Sequence, residues 1–383
     1  LRGQAFDWAA HAALTEQWQA DHDQLSHQLR QHLGAINPNS GPQLGEWLQR
    51  TLPASTLQQW PKTPKGRLKT NADSLALFAD LPAIQPLLRY KAVSKLLSTY
   101  GTKYDQHRHP ITGRLHPHFP IGQTVSGRLC AHKPNTQNPP RLAAFRALFI
   151  PEPGKILIGA DYSQIELRVA ALLSNDRAMV DAYARGDDLH TLTAAAVAGV
   201  APEQVTTTQR QQAKAVNFGN LYGQGPAGLA QTAKLTYGVT MSAPQAQQAL
   251  NQFHMTYPQL AAWKRQQVGL AQQFRQVKTQ LGLIRDFDVQ GNGYLKGEAQ
   301  NIPVQGSAAE ILHCTLARLP QALQGLDAQL YHNVHDELIL QARPEDADKA
   351  AHALQDAMVQ GFLEVFPHGT ALTAGLVDVH TGP

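Results

Sequence analysis

Cysteine is nearly absent from this chain: Cys130 and Cys314 are the only two among 383 residues. They lie far apart and outside any metal-type spacing, which argues against a disulfide scaffold or a thiolate zinc site and fits reduced, structural thiols in a cytosolic setting. Long apolar runs are missing as well. No stretch approaches 18 residues and no signal sequence opens the chain, so a membrane role is not expected. Charge of one sign is in short supply, with 33 basic against 29 acidic residues and a net +4. A pI near 9.0 fits a polyanionic partner weakly, and the placement of the charges says more than their sum. Histidine is not rare, but His116 and His118 are two positions apart, not the four that a helical zinc pair uses. No initiating Met stands at Leu1, so a fragment or a trimmed chain is expected, with upstream domains out of view. The length exceeds that of a single core, so two or three subdomains are expected.

What the sequence does contain is organised around Lys155–Ser174. Ile156, Leu157 and Ile158 read as a buried strand that passes through Gly159 and Ala160 and delivers Asp161 at its end. After Tyr162 and Ser163 the apolar spacing changes to three or four, at Ile165, Val169 and Leu172, which is a helix signal. A carboxylate at that junction projects from the rim of a sheet, where a metal and a substrate can reach it; the plain alternative is a helix cap. A second acidic strand end lies 175 positions on, where two strand-like runs flank His335-Asp336-Glu337 in a hairpin. If the two strands are neighbours, their anions repel unless cations lie between them. Mg²⁺ suits such a place, since it binds through one or two carboxylates plus substrate phosphates.

A third stretch supplies positive charge. Thr206 and Gln209 have capping-box spacing and open a helix on which Arg210, Lys214, Phe218 and Tyr222 recur every fourth residue. They form one stripe drifting by about 40° per step on a 3.6-residue helix. Two cations followed by two rings match the layout of a nucleoside triphosphate, although a solvated basic face with a buried aromatic pair would read the same way.

Elsewhere, Leu14, Trp18, Leu25, Leu29 and Leu33 mark an amphipathic helix over Phe6–Leu33, and Ser40 with Gln43 can cap a second helix through Trp47 and Leu48. Lys62–Lys69 is basic and punctuated by Pro and Gly; such a loop is not expected to pack a core and suits a phosphate backbone, through Lys65, Arg67 and Lys69, unless it is only a solvated linker. A helix from about Pro86 to Tyr100 carries Arg89, Lys91 and Lys95. Gly186–His190 begins an Ala-rich helix; a helix is expected from about Pro344 to Phe362 and a last strand from Leu372 to Val379.

Together the three stretches resemble the family A DNA polymerases, the bacterial DNA polymerase I type. Asp161-Tyr-Ser-Gln-Ile-Glu-Leu-Arg168 is similar to motif A of that family, Arg210-x-x-x-Lys214-x-x-x-Phe218-x-x-x-Tyr222-Gly223 to motif B, and Val334-His-Asp-Glu337 to motif C. The resemblance runs over essentially the whole chain. It implies an α+β fold of right-hand polymerase architecture, with an antiparallel-sheet palm, helical fingers and a helical thumb. The implied boundaries are thumb 1–105, first part of the palm 106–175, fingers 176–296 and second part of the palm 297–383. It also implies template-directed addition of deoxynucleotides to a primer 3′-hydroxyl with two Mg²⁺ ions, for which Mn²⁺ can substitute.

The same resemblance assigns roles. Asp161, the Tyr162 backbone carbonyl, Asp336 and Glu337 would hold metal, with Glu337 supportive; Asp161, Asp336 and Lys214 would be catalytic. Arg210, Lys214 and His190 would hold the polyphosphate, Phe218 and Tyr222 the nascent pair, and Gln164 and Glu166 the nucleotide, with Glu166 crowding a 2′-hydroxyl. Arg128, in Ser126-Gly-Arg-Leu129, and Asn301, Gln305 and His335 would meet primer-template DNA, alongside Lys65, Arg67, Lys69, Lys91 and Lys95 in the thumb. Arg128 could also be an ordinary surface arginine, and His190 a cap neighbour. Leu281–Asp286 departs from the more basic loop of the family and keeps only Arg285; the chain also stops at Pro383, short of the usual aromatic-bearing tail, so a few terminal residues are expected to be missing. A monomer in the cytoplasm of a bacterium or a phage-infected cell is implied. The N-terminal third lacks the clustered acids of a proofreading exonuclease. The rival readings are a single-subunit RNA polymerase, against which Gln164-Ile-Glu166 argues, and a catalytically silent DNA-binding or scaffold module, against which the acidic pair and cationic helix argue.

Overall fold

Local signals decide where most elements begin in the computed structural model, which describes residues 3–82, 84–287 and 295–382. The chain falls into two compact units. The expected segment ends at 1 and 383, and residues 288–294 of the third expected segment, lie outside the described residues.

One unit comprises residues 6–115 and 139–149. Its long helix α1 (Trp8–Leu33) starts where the Asp7 carboxylate accepts from Ala10 N, and it buries Trp18, Leu29 and Leu33 along one stripe. Helix α2 (Gly41–Thr51) forms as expected around Trp47 and Leu48, but Ser40 makes no side-chain cap and Gln43 Oε1 instead accepts from Asn37 N at 2.7 Å. Helix α3 (Ile84–Tyr100) carries Pro86 in its first turn, where a missing N–H leaves no intrahelical bond unmade. The 62–69 loop does pack a core, contrary to expectation: Leu68 is 9% exposed among Leu44, Leu48 and Trp60, and Trp60 Nε1 donates to Lys69 O. A single apolar side chain in the basic run suffices to pin it.

The other unit holds residues 3–5, 116–138 and 150–382. In chain order its main elements are β1 (Ile156–Tyr162), α4 (Ile165–Ser174), α5 (Leu189–Ala198), α6 (Thr207–Leu221), α7 (Pro258–Phe274), β2 (Gln276–Lys278), β3 (Ile284–Asp286), α8 (Leu295–Ala322), β4 (Ala328–Val334), β5 (Glu337–Ala342), α9 (Ala347–Val365) and β6 (Val377–Gly382). The four-stranded sheet is antiparallel in the order β4-β5-β1-β6. Alternation puts Ile158, Ala160, Tyr162, Leu338, Leu340 and Ala342 on one face, buried in the same core as Ile311, Leu354, Met358 and Phe362 of α8 and α9. These two helices meet closely because Gly361 has no side chain: a Cβ there would collide with Thr315 and the Ile311 carbonyl.

Two elements near the C-terminus are bounded differently from the sequence reading. Helix α9 starts at Ala347 after a 3₁₀ turn over Pro344–Asp346 and runs to Val365. The last strand starts at Val377, not Leu372, because the carbonyls of Leu372, Ala374 and Gly375 turn inward to the buried Arg168 guanidinium, which donates to all three. A segment whose carbonyls are spent on one side chain cannot also pair in a ladder.

Candidate active site

The sheet's other face carries the acids. In register, Asp161 on β1 lies opposite Glu337 on β5 and opposite Asp378 on β6. Residues directly opposed across antiparallel strands share a face, so three carboxylates form one row. Asp336 stands in the β4–β5 turn, made by His335 at φ 57°, and its carbonyl accepts from Tyr162 N at 3.4 Å. The two acidic strand ends are thus brought together. Burial, and then the charges of Asp336, Glu337 and Asp378, push the Asp161 carboxyl up to about 7. Burial also raises that of Asp336. Beside the row, the His380 ring lies over Gly159, where any Cβ would strike it, and its Nε2 stands 3.3 Å from Glu337 Oε1.

Crowded, partly desolvated carboxylates of this kind are suited to a hard cation. Among the described residues no group of three or more His, Cys, Asp or Glu forms a cage for one. That combination fits an ion held by one or two carboxylates and completed by oxygen atoms of a substrate, as Mg²⁺ generally is.

Next to the acids, the Glu166 carboxylate on α4 is 6% exposed and bonded by Arg128 Nη2. Burial raises its pKa, and Arg128 followed by the Tyr222 hydroxyl opposes the rise. Tyr222 caps the C-terminus of α6 rather than lying within it, and its ring stacks with Phe218 at 6.5 Å. The capping box at the other end forms as expected: Thr206 Oγ1 accepts from Gln209 N at 3.2 Å and Thr206 N donates to Gln209 Oε1 at 2.8 Å.

On α5, His190 is 3% exposed, and its Nδ1 pairs with Nδ2 of Asn217 on α6 at 2.8 Å. With the Asn217 amide turned this way, Nδ1 accepts and Nε2 is the ring nitrogen that carries the proton. Burial brings the His190 pKa down to about 4, leaving a neutral donor. Arg210 Nε bonds Asp188 Oδ2 at 2.7 Å. Burial works against the charge on Asp188, yet hydrogen bonds from Arg210 and Thr191 hold its carboxyl well below the usual range. Gln164, with φ 55°, donates to Asp188 Oδ1 at 3.2 Å and accepts from the Tyr183 hydroxyl at 3.1 Å. Lys214 is half-buried on α6. At its far end the buried Lys264 ammonium donates to both the carbonyl and the side-chain oxygen of Asn220; burial and then Lys296 lower its pKa to about 7.

Asn301 and Gln305 lie four apart on α8 and so share a face. The tip between β2 and β3 is tied to that helix through Gln280 N to Ser307 Oγ at 2.8 Å and Leu281 N to Glu310 Oε2 at 2.9 Å. It exposes Leu281, Leu283 and Ile284, while Arg285 is paired with Glu298 at 3.1 Å. In the other unit Lys65, Arg67, Lys69 and Lys95 are exposed, and Lys91 is half-buried with its pKa lowered by burial.

Sequence reasoning missed Asp188, Asn217, Asp378, His380 and Lys264. Asp188 could have been found as the N-cap of α5, with Thr191 three residues on. The others depend on partners brought in from distant segments.

Comparison with known proteins gives the family. The family model described as DNA polymerase family A matches residues 9–368. DNA polymerase I of Geobacillus stearothermophilus is 35% identical over 388 residues, covering 97% of this chain and 42% of that protein. DNA polymerase I of Aquifex aeolicus is 33% identical over 325 residues, covering 84% and 54%. The chain therefore spans about half the length, or less, of these relatives. A solved structure described as the POL domain of Pol1 from M. smegmatis in complex with DNA primer-template and dNTP superposes with a TM-score of 0.85 at 28% identity, covering 99% of this chain and 67% of that one. The fold is the α+β polymerase fold, and with a family match over nearly its full length the chain belongs to DNA polymerase family A.

Proposed function

We propose that this chain extends a primer 3′-hydroxyl with deoxynucleotides chosen by a template, releasing pyrophosphate. The observation that carries the reading is the acidic row, in which Asp161 faces Glu337 and Asp378 beside the Asp336 turn and its carboxyl is pushed up to about 7. Carboxylates gathered so closely repel one another, and a divalent cation among them relieves that repulsion. Asp161, Asp336 and the Tyr162 carbonyl, supported by Glu337, would hold two Mg²⁺ ions or Mn²⁺ in their place. When bound, such ions lower the pKa of the attacking hydroxyl and neutralise the leaving group.

The chain's own groups do the rest by placement. Arg210 and Lys214 bind the polyphosphate, Lys214 offsetting the charge of departing pyrophosphate, and His190 donates its Nε2 proton to a phosphate oxygen without adding charge. Phe218 and Tyr222 pack on the nascent pair. Glu166, fixed by Arg128, fills the space beneath the sugar and disfavours a 2′-hydroxyl, while Gln164 steadies that corner through Tyr183 and Asp188. Arg128, Asn301 and Gln305 address minor-groove acceptors common to all base pairs, a test of shape, and His335 sits by the primer end.

We assign residues 1–105 to a thumb that holds duplex through Lys65, Arg67, Lys69, Lys91 and Lys95, 106–175 and 297–383 to the palm, and 176–296 to the fingers. Primer-template DNA and deoxynucleoside triphosphates are the partners of a monomer that carries no proofreading exonuclease in this stretch. No helix of the described residues is long and apolar enough to cross a membrane, and the bacterial relatives support a cytoplasmic setting. In a primer-extension assay with Mg²⁺ and four deoxynucleotides, Asp336→Ala is expected to abolish extension while DNA affinity stays within a few fold. Extension near the wild-type rate would overturn the assignment.

A further inference from the structure

Asp188 is given no part in the chemistry above, yet it is the most heavily bonded carboxylate beside it. Its Oδ2 accepts from Arg210 Nε at 2.7 Å, from Thr191 N at 3.1 Å and from Thr191 Oγ1 at 2.6 Å, and its Oδ1 accepts from Gln164 Nε2 at 3.2 Å. Capping α5 needs only the Thr191 bonds. The bond from Arg210 reaches across from a different helix, α6, and engages a cation that the proposed reaction needs for phosphate. Both side chains remain about a third exposed, at 38% for Arg210 and 30% for Asp188, so a ligand can reach and separate them.

We propose that Asp188 stands in for the triphosphate: it occupies Arg210 before the nucleotide arrives, and binding exchanges one anion for another. Arg210 has no acceptor function, so each donor turned to Asp188 is withheld from phosphate. Asp188 is in this sense a positioning residue. It holds Arg210 against α5 in the empty site and sets a toll on every ligand that must take the arginine away. The inference rests on Arg210 being a polyphosphate ligand, as proposed above.

The test is a double-mutant cycle read as the Kd of a deoxynucleoside triphosphate for the protein on a primer-template with a dideoxy 3′ end. Asp188→Asn keeps an oxygen that caps the helix and removes the charge. Its Kd is expected to fall by about three-fold, the scale of an exposed ion pair. In the Arg210→Ala background the same substitution is expected to change nothing, because no arginine remains to be released. An equal gain in both backgrounds would mean simple repulsion between Asp188 and the nucleotide and would overturn the exchange, as would an unchanged or weakened Kd in Asp188→Asn alone. If Arg210→Ala by itself leaves Kd unchanged, the arginine is no phosphate ligand and the underlying reading fails with the inference. Asp188→Ser, which also caps, repeats the measurement should the Asn variant melt early.

Discussion

The two faces of the four-stranded sheet come from alternate residues of the same strands, and they are built to opposite rules. On the helix-covered face Ile158 opposes Leu340 and Ala160 opposes Leu338, all fully buried. On the open face the intervening position sets Asp161 against Glu337 and Asp378, like charges directly across strands, an arrangement that destabilises a sheet. The period of two makes the division possible: each strand binds the fold together with one set of side chains and carries strain with the other. On the proposed function, stability and chemistry therefore occupy alternate residues, and the covered face must supply what the open face gives up.

Substitution on each side should shift stability in opposite directions. The largest effect is expected from Leu340→Ala, which would empty a fully buried position and lower unfolding free energy by about 2–5 kcal/mol in denaturant titrations. A loss well under 1 kcal/mol would show that the covered face is not what holds the sheet. Asp161→Asn should have the opposite sign and a smaller size. The folded carboxyl is raised from 3.8 to about 7, so its contribution to stability is fully present below pH 3.8 and is lost as pH rises through 7. In metal-free buffer the wild type should accordingly lose on the order of 1–2 kcal/mol across that window, once screening by water is allowed for. The Asn variant should melt higher than wild type at pH 8, with a flatter profile between pH 4 and 7. A variant that melts lower at pH 8 would mean that the acidic row is not strained.

Much of this division could be read from the chain because it depends on near neighbours. The alternation before Asp161, the change of period at Ile165 and the Thr206–Gln209 box each lie within a few residues of sequence. Where the reading missed, a distant partner had intervened. Leu372 looked like strand until Arg168, 204 residues away, claimed its carbonyl. Ser40 and Gln43 had the right spacing for a box, but Asn37 N offered Gln43 another bond. Asp188 and Arg210 are 22 residues apart, and Asn220 and Lys264 are 44 apart, so neither pair has a local signature. The acids of the site were partly visible: Asp161, Asp336 and Glu337 stood at recognisable strand ends, while Asp378 belonged to a strand whose start had been placed too early.

The finest test of the two-face comparison is a single oxygen. The Tyr162 hydroxyl, on the covered face one residue beyond Asp161, lies 2.7 Å from both Thr315 Oγ1 and the Met358 carbonyl, joining β1 to α8 and α9. Tyr162→Phe keeps the ring and removes that junction. Thr315 can fall back on its 3.0 Å bond to the Ile311 carbonyl, so only part of the interaction is lost and about 1 kcal/mol of stability should go with it. Primer extension should be unchanged below the melting transition, because the Tyr162 backbone, not its ring, faces the acids. A variant that melts like wild type but extends poorly would show that the covered face reaches into the chemistry after all, and that the alternation of the strand does not separate the two tasks.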